Sequence, residues 1–431
     1  MDRRTFVRRS LLSAAGLTLA GPLSGLACRP SAEPKRIDGY GPLVDKGDLA
    51  LPRDFEYRVL SRSGDRMDDG EPTPGLFDGM AAFAGPRGTT VLIRNHENRG
   101  RSGERAVVVP ERRRYDPDGD FNGGCTKLVV SRQRRVLGSF AVLGGTSTNC
   151  AGGAMPWGSW ITCEEIFDDG DRPHGFAFEV DARTSGPVQA VPILGAGRFV
   201  HEAVAWSDGA LYLTEDRSGD AAFYRFRPDR RPVRAGDLAR TGGRLQALRI
   251  RGMRDADTSS GWPVGRAFDV QWEDLDEPGP EKDTVRDEAH DKGAARFERE
   301  EGIWAGDGRV WFDCTEGGRE GLGQVWEYDA RRERLTLIYE SPGSGSLSHP
   351  DNLVVTPTGG LLLCEDTVHP QFIRGLTAAG GIYDFARAVG NDSEFCGATF
   401  DPDGETLFVN QQGVRTDGTA VTYAIWGPWA I

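Results

Sequence analysis

The chain has 431 residues, 38% hydrophobic and 27% charged, so it holds enough apolar side chains for a large core and wholesale disorder is excluded. Its formal net charge of −13 argues against a nucleic-acid partner, which would require a basic face. With 58 Gly and 25 Pro it favours many short strands and turns, and no apolar run after the N-terminus approaches the ~20 residues of a membrane span.

Residues 1–28 read as an export signal, with a basic start (Arg3, Arg4, Arg8, Arg9), an apolar stretch from Leu11 to Leu26 and small residues before Cys28. Arg3-Arg4-Thr5-Phe6-Val7-Arg8 closely resembles the twin-arginine signature, which sends folded cargo across the bacterial inner membrane. The export machinery is thus an expected partner, and the expected location is periplasmic or extracellular. Gly25 stands where a lipobox has Leu, so lipid attachment at Cys28 is not favoured. Residues 29–50 read as a polar linker. Six further cysteines (Cys125, Cys150, Cys163, Cys314, Cys364 and Cys396) would be free to pair in an oxidising compartment. Three of them recur at one point of a repeat, which suits core or ligand positions better.

That repeat occurs six times: a turn with Gly, an apolar strand, then polar and mostly acidic residues. The strands are 92–97, 160–165, 211–216, 311–316, 361–366 and 407–412, after Gly88, Gly158, Gly209, Gly308, Gly359 and Gly404. Each is followed by an aromatic or β-branched segment: 127–130, 176–178, 223–226, 325–328, 382–385 and 422–425. A fourth strand follows in most units, at 139–143, 188–191, 245–250 and 335–338. The last unit runs out of chain, and residues 56–60 are left to complete it. The pattern predicts an all-β fold, a six-bladed β-propeller over 51–431 whose N-terminal strand closes the last blade. An acidic insertion at about 252–296 is expected on the rim, as a lid or mobile loop.

Equivalent positions of a propeller converge on its axis. Seven to nine residues after each turn glycine stand Glu97, Glu165, Asp216, Glu316, Asp366 and Gln412. Seven or eight before it stand Cys150, Glu202, Glu301, Asp351 with Asn352, and Cys396. Two unit charges ~4 Å apart repel by ~1 kcal/mol in water and ~4 kcal/mol at an effective dielectric near 20. Summed over these rings, the cost exceeds a typical domain stability of about 5–15 kcal/mol. The carboxylates must be solvated, protonated or bound to cations. Oxygen donors suit calcium, magnesium or manganese, and a thiolate among them suits a transition ion such as iron. His96, His201 and His349 adjoin these acids and suit orienting roles. Arg299 shares a strand face with Glu301, and an arginine beside metals is suited to a phosphate oxygen.

At these residues the sequence resembles the PhoX-type alkaline phosphatase family. The resemblance rests on Asn149-Cys-Ala-Gly-Gly-Ala-Met-Pro-Trp-Gly-Ser-Trp-Ile-Thr-Cys-Glu-Glu165, with Asn95-His-Glu97, Gly197-Arg-Phe-Val-His-Glu202, Thr214-Glu-Asp216 and Ile425-Trp-Gly-Pro-Trp429 in family order. It implies two ferric ions and three calcium ions in the channel, with a thiolate on iron and phosphate monoesters as substrates. Carried over by motif, Cys150 and Glu165 would hold iron, and Glu202 and Asp216 would bridge or bind calcium. Glu301 would bind calcium and Arg299 would contact the phosphate, while Asp351 and Asp366 compete for the remaining acidic position. Glu97 is a further metal candidate. The family's Arg-Pro-Glu-Trp segment reads Arg299-Glu300-Glu301-Gly302 here. The expected protein is an exported, monomeric, Fe3+- and Ca2+-dependent phosphomonoesterase. Its rivals are a calcium-dependent lactonase-like hydrolase and a non-catalytic calcium-binding propeller.

Overall fold

Six strands form a ring around one axis: Phe77–Ala84, Asn149–Met155, His201–Ser207, Glu300–Gly306, Pro350–Val355 and Phe395–Phe400. Each lies against the next and the last against the first. This computed structural model describes residues 35–431 except 102, 118, 369 and 415–418, so the export signal and Cys28 lie outside the described residues. An antiparallel blade extends outward from every inner strand. The chain is mostly β, the six-bladed propeller that the repeat predicts. The repeated motif strands are the second strands of the blades, and the residues before each turn glycine are the innermost ones.

Closure follows the predicted route. Glu56–Arg62 pairs antiparallel with Val421–Trp426 and becomes the outer strand of the sixth blade. The ring is therefore fastened by hydrogen bonds between the two ends of the domain. Because each blade packs on two neighbours, its middle strands are apolar on both faces. The aromatic segments supply that filling: Tyr224, Phe226, Trp326, Tyr328, Tyr383, Phe385 and Tyr423 are all buried.

Three expectations are corrected. Residues 29–50 are not simply a linker: Lys35–Arg36, Leu43–Asp45 and Leu49–Pro52 add strands to the fifth blade, and Leu49 and Leu51 are fully buried. Residues 188–191 form no strand, because Pro187 and Pro192 flank them and proline cannot donate to a ladder. The insertion is a packed element rather than a free lid. Its strand Ala267–Asp274 pairs with Gly243–Ile250 on one side and Arg334–Glu340 on the other, merging blades three and four. Its short helix Val285–Asp291 buries Val285 and Ala289.

The inner strands approach so closely that side chains are excluded between them. A Cβ on Gly79 would lie 2.6 Å from Ala151 Cα, and one on Gly302 would lie 2.7 Å from Asp351 O. Both obstacles are backbone, which cannot rotate away. Gly302→Ala is therefore expected to cost about 1–3 kcal/mol through overpacking. Calorimetry should show a lowered melting temperature; a wild-type melt would mean that the fourth and fifth inner strands are not in this contact.

Candidate metal centre

Every inner strand slips register at its axial end. The shifts fall between Phe77 and Met80, His201 and Val204, Glu300 and Ile303, Pro350 and Leu353, and Cys396 and Thr399; the second blade slips opposite Thr162 and Glu164. Such bulges leave a residue outside the ladder and re-aim its side chain. The residues they free are Asp78, Cys150, Glu202, Glu301 and Asp351, with Gly397 in the sixth blade. Five blades thus deliver a carboxylate or thiol to one end of the axis.

The second strands contribute from the same end. Glu97, Glu165 and Asp366 each follow a strand end, and their N–H groups donate to Leu76, Thr148 and His349 O. These acceptors, with Arg299, are non-glycine residues at φ 45–49°, an uncommon conformation repeated at four blade entrances. In the fourth blade Thr315, not Glu316, makes the equivalent bond, to Arg299 O. Glu316 is therefore one residue too far along and lies exposed at the rim. In the acid pairs Glu164-Glu165, Glu215-Asp216 and Glu365-Asp366 the first member turns into the protein. Glu164 accepts from Ser147, Gly175 and Phe176 N–H, Glu215 from Tyr224 OH, and Glu365 from Ser348 N–H and Arg374. Alternation leaves the second member facing the axis.

Two clusters result. Single ligand atoms of Cys150, Glu165 and Glu202 lie within 4.8 Å of one another, and so do those of Glu202, Glu301 and Asp351. Glu202 belongs to both. Its Oε1 accepts the Cys150 thiol at 3.0 Å, while its Oε2 and the Asp78 Oδ1 are buried without any hydrogen-bond partner. Burial pushes Glu165, Glu202, Glu301, Asp351 and Asp78 well above the usual carboxylate range, and their mutual repulsion adds to it. The Cys150 thiol is raised for the same two reasons. Cations reverse this logic by favouring the deprotonated forms. Orphaned buried oxygens, a thiol and converging carboxylates fit a mixed set of hard and softer metal ions.

The remaining predicted residues stand around these clusters. Asp216 holds the Arg299 guanidinium through two bonds of 2.9 Å, and Arg299 also donates to Glu301 at 2.9 Å and Glu316 at 3.3 Å. Glu97 pairs with Arg99, whose other contact is Glu165 at 3.8 Å. Gln412 donates to Glu97 at 2.7 Å and to Asp78 at 3.1 Å. Asp351 joins the second cluster, whereas Asp366 lies against Glu394, a half-buried carboxyl raised by desolvation and by that neighbour. His96 and His201 bond backbone carbonyls of Gly75 and Gly197, and His349 bonds Ser348. The six described cysteines are all free and buried.

Sequence reasoning missed Asp78, Glu394 and Arg99. Asp78 had a detectable signal: it occupies the bulge of the first blade. It falls outside the spacing window only because the hairpin there carries the extra turn Pro86–Gly88.

The alkaline phosphatase PhoX family matches residues 38–142 and 136–414. No curated protein matches the chain. Among solved structures, Pseudomonas fluorescens PhoX in complex with vanadate, a transition state analogue, is similar at 18% identity and TM-score 0.69, over 92% of this chain and 98% of that one. A gluconolactonase from Xanthomonas campestris is similar at 14% identity and TM-score 0.44, over 90% and 98%. A catalytically inactive virginiamycin B lyase from Staphylococcus aureus with quinupristin gives 11% and 0.43, over 86% and 99%.

The raised carboxylates carry a pH signature. An acid whose folded pKa lies above its unfolded value stabilises the fold at low pH, and that contribution is lost as pH rises through the folded pKa. Metal-free protein should therefore melt at progressively lower temperature as pH rises from about 4, the ordinary carboxylate value, through the raised values, and added calcium should flatten the decline. Calorimetry with and without EGTA checks this; identical pH profiles would show that the carboxylates do not share a cation.

Proposed function

The chain belongs to the alkaline phosphatase PhoX family, and from that premise we propose that it hydrolyses phosphate monoesters beside a cluster of ferric and calcium ions on the propeller axis. Membership makes it a metal-dependent phosphatase; the monoester class and the metal identities are our reading. The observation that carries it is the sharing of Glu202 between a thiol-containing and an all-carboxylate cluster. Cys150 and Glu165 would hold iron, since the thiolate is the softest donor present. Glu301 and Asp351 would hold calcium, with Glu202 bridging and Asp216 and Asp78 beside them. When bound, the ions would supply Lewis acidity and neutralise charge on the phosphoryl oxygens.

Arg299 is the chain's own phosphate ligand in this reading. A guanidinium has five N–H donors. Asp216 and Glu301 fix its Nε and Nη2, and among the described residues the only carboxylate on Nη1 is the exposed Glu316. Nη1 is thus free to exchange a solvated partner for a phosphoryl oxygen, and its aim is fixed before substrate arrives. The vanadate held by the Pseudomonas fluorescens protein supports a phosphoryl-shaped site in this architecture. In the reaction a water oxygen forms the new P–O bond as the P–O bond to the alcohol breaks. The alcohol oxygen keeps that electron pair and receives a proton from water.

Cys150→Ala is expected to abolish iron content and visible absorption and to cut p-nitrophenyl phosphate turnover by at least 100-fold, the scale of losing a metal or a principal electrostatic stabiliser. EGTA should also stop turnover. Elemental analysis with the same assay decides: full activity in Cys150→Ala favours a hydrolase that needs only calcium, and bound metal without phosphate release refutes the phosphatase. We further propose twin-arginine export to the periplasm or beyond as a folded monomer. Replacing Arg3 and Arg4 together by Lys should then leave the precursor in the cytoplasm by cell fractionation; unaltered export would point to another route.

A further inference from the structure

A pocket of about 390 Å³ opens beside Arg299. Glu165, Asp216 and Arg299 line one side, and Ile166, Phe167 and Val200 another. Its polar side is the proposed phosphate position. Its apolar side has no task in phosphate binding or metal ligation, yet it is the more elaborately supported of the two.

Phe167 follows the ligand Glu165 by two residues and is half-buried. The Arg198 guanidinium lies 4.0 Å from its ring centroid. Arg198 is itself fixed by the carbonyls of His174 at 2.9 Å, Asp168 at 2.9 Å and Pro280 at 3.3 Å, and by Asp169 at 2.6 Å. Its own N–H donates to Pro278 O at 2.7 Å. Arg217, which also lines the pocket, is held by Asp283 at 2.5 Å. Pro278, Pro280 and Asp283 all belong to the insertion between blades three and four. That segment therefore buttresses both the aromatic wall and a cationic wall of one pocket. Holding an aromatic ring in a fixed plane over a half-open cavity confers selectivity, because a flat partner then stacks without reordering the site.

We propose that this pocket is the leaving-group subsite and that it selects phosphate monoesters of aromatic alcohols, whose ring stacks on Phe167 while the phosphoryl group meets Arg299. This deepens the phosphatase reading and rests on it. Asp283 and Arg198 are positioning residues that act through Arg217 and Phe167. A water oxygen bonds to phosphorus as the phenolic oxygen leaves with the P–O electron pair and takes its proton from water, so the subsite adds recognition and no new chemical step.

The test uses the metal-loaded full chain. The ratio of kcat/KM for phenyl phosphate over ethyl phosphate is compared in wild type, Phe167→Ala, Phe167→Leu and Phe167→Tyr. Loss of the planar face should lower this ratio about tenfold in both Ala and Leu variants, chiefly through KM, and Tyr should restore it. Calorimetric binding of phenylphosphonate against methylphosphonate gives a readout independent of turnover and should change in parallel. A ratio insensitive to all three substitutions overturns the subsite while leaving the phosphatase intact. A Phe167-dependent preference for phenylphosphonate without hydrolysis of either ester upholds the aromatic subsite and overturns the phosphatase. Leu, which keeps most of the bulk, separates stacking from simple space-filling: if it retains the wild-type ratio, the ring is not stacking and the proposal falls.

Discussion

Crowding of like charge on the propeller axis is the constraint to which the rest of the molecule answers. Asp78, Glu202, Glu301 and Asp351 are brought together by the closest-packed part of the fold, where glycines stand because a methyl group would strike the neighbouring backbone. The inner strands cannot move apart to relieve the repulsion without opening the ring, and the N-terminal strand on Val421–Trp426 keeps the ring shut. The carboxylates are consequently held at a spacing that water does not screen and their own backbone does not satisfy. Arg99, Arg299 and Gln412 answer part of that charge from the mouth of the axis. The orphaned oxygens of Asp78 and Glu202 mark where protein donors end and cations are needed.

The six-blade architecture was legible because each blade repeats one pattern: turn glycine, apolar strand, acidic end. Spacing from the turn glycine also singled out Glu165, Asp216 and Asp366 rather than their neighbours Glu164, Glu215 and Glu365, which are taken up by backbone and side-chain donors. Fixed spacing failed where hairpins differ in length. Asp78 is displaced by one extra turn, and Glu316 was counted in place of Thr315 because Thr315, which stands at the same distance from its turn glycine as Glu165, Asp216 and Asp366 do from theirs, carries no carboxylate. Glu394 and Arg99 stand on connections, whose geometry no strand period encodes. The choice between Asp351 and Asp366 was likewise closed to sequence reasoning, because both face the axis and only the bulge sends Asp351 to Glu202.

The insertion illustrates the same limit from the other side. Acidic and weakly hydrophobic, it reads as a mobile rim. Its value to the fold lies in a few contacts: one strand hydrogen-bonded on both edges and a helix burying two small apolar residues. Hydrogen bonds within a sheet do not depend on side-chain hydropathy, so composition understates such a segment. Pro278 O and Pro280 O turn toward Arg198 and Asp283 toward Arg217, beside the approach to Arg299.

The export route we propose and the charge on the axis bear on each other. A twin-arginine signal suits a chain that must fold before it crosses the membrane. A propeller whose axial carboxylates are raised by burial gives up stability as they ionise with rising pH, unless cations take the place of protons. Folding and loading then become one equilibrium, because ions that bind only the closed ring stabilise it by mass action. A chain assembled after export would meet its metals as an open or protonated ring, in competition with whatever ions the outer compartment offered. Folding first in the cytoplasm would let the ring close around the ions we propose, and the Cys150 thiolate would then enter an oxidising compartment already ligated and buried.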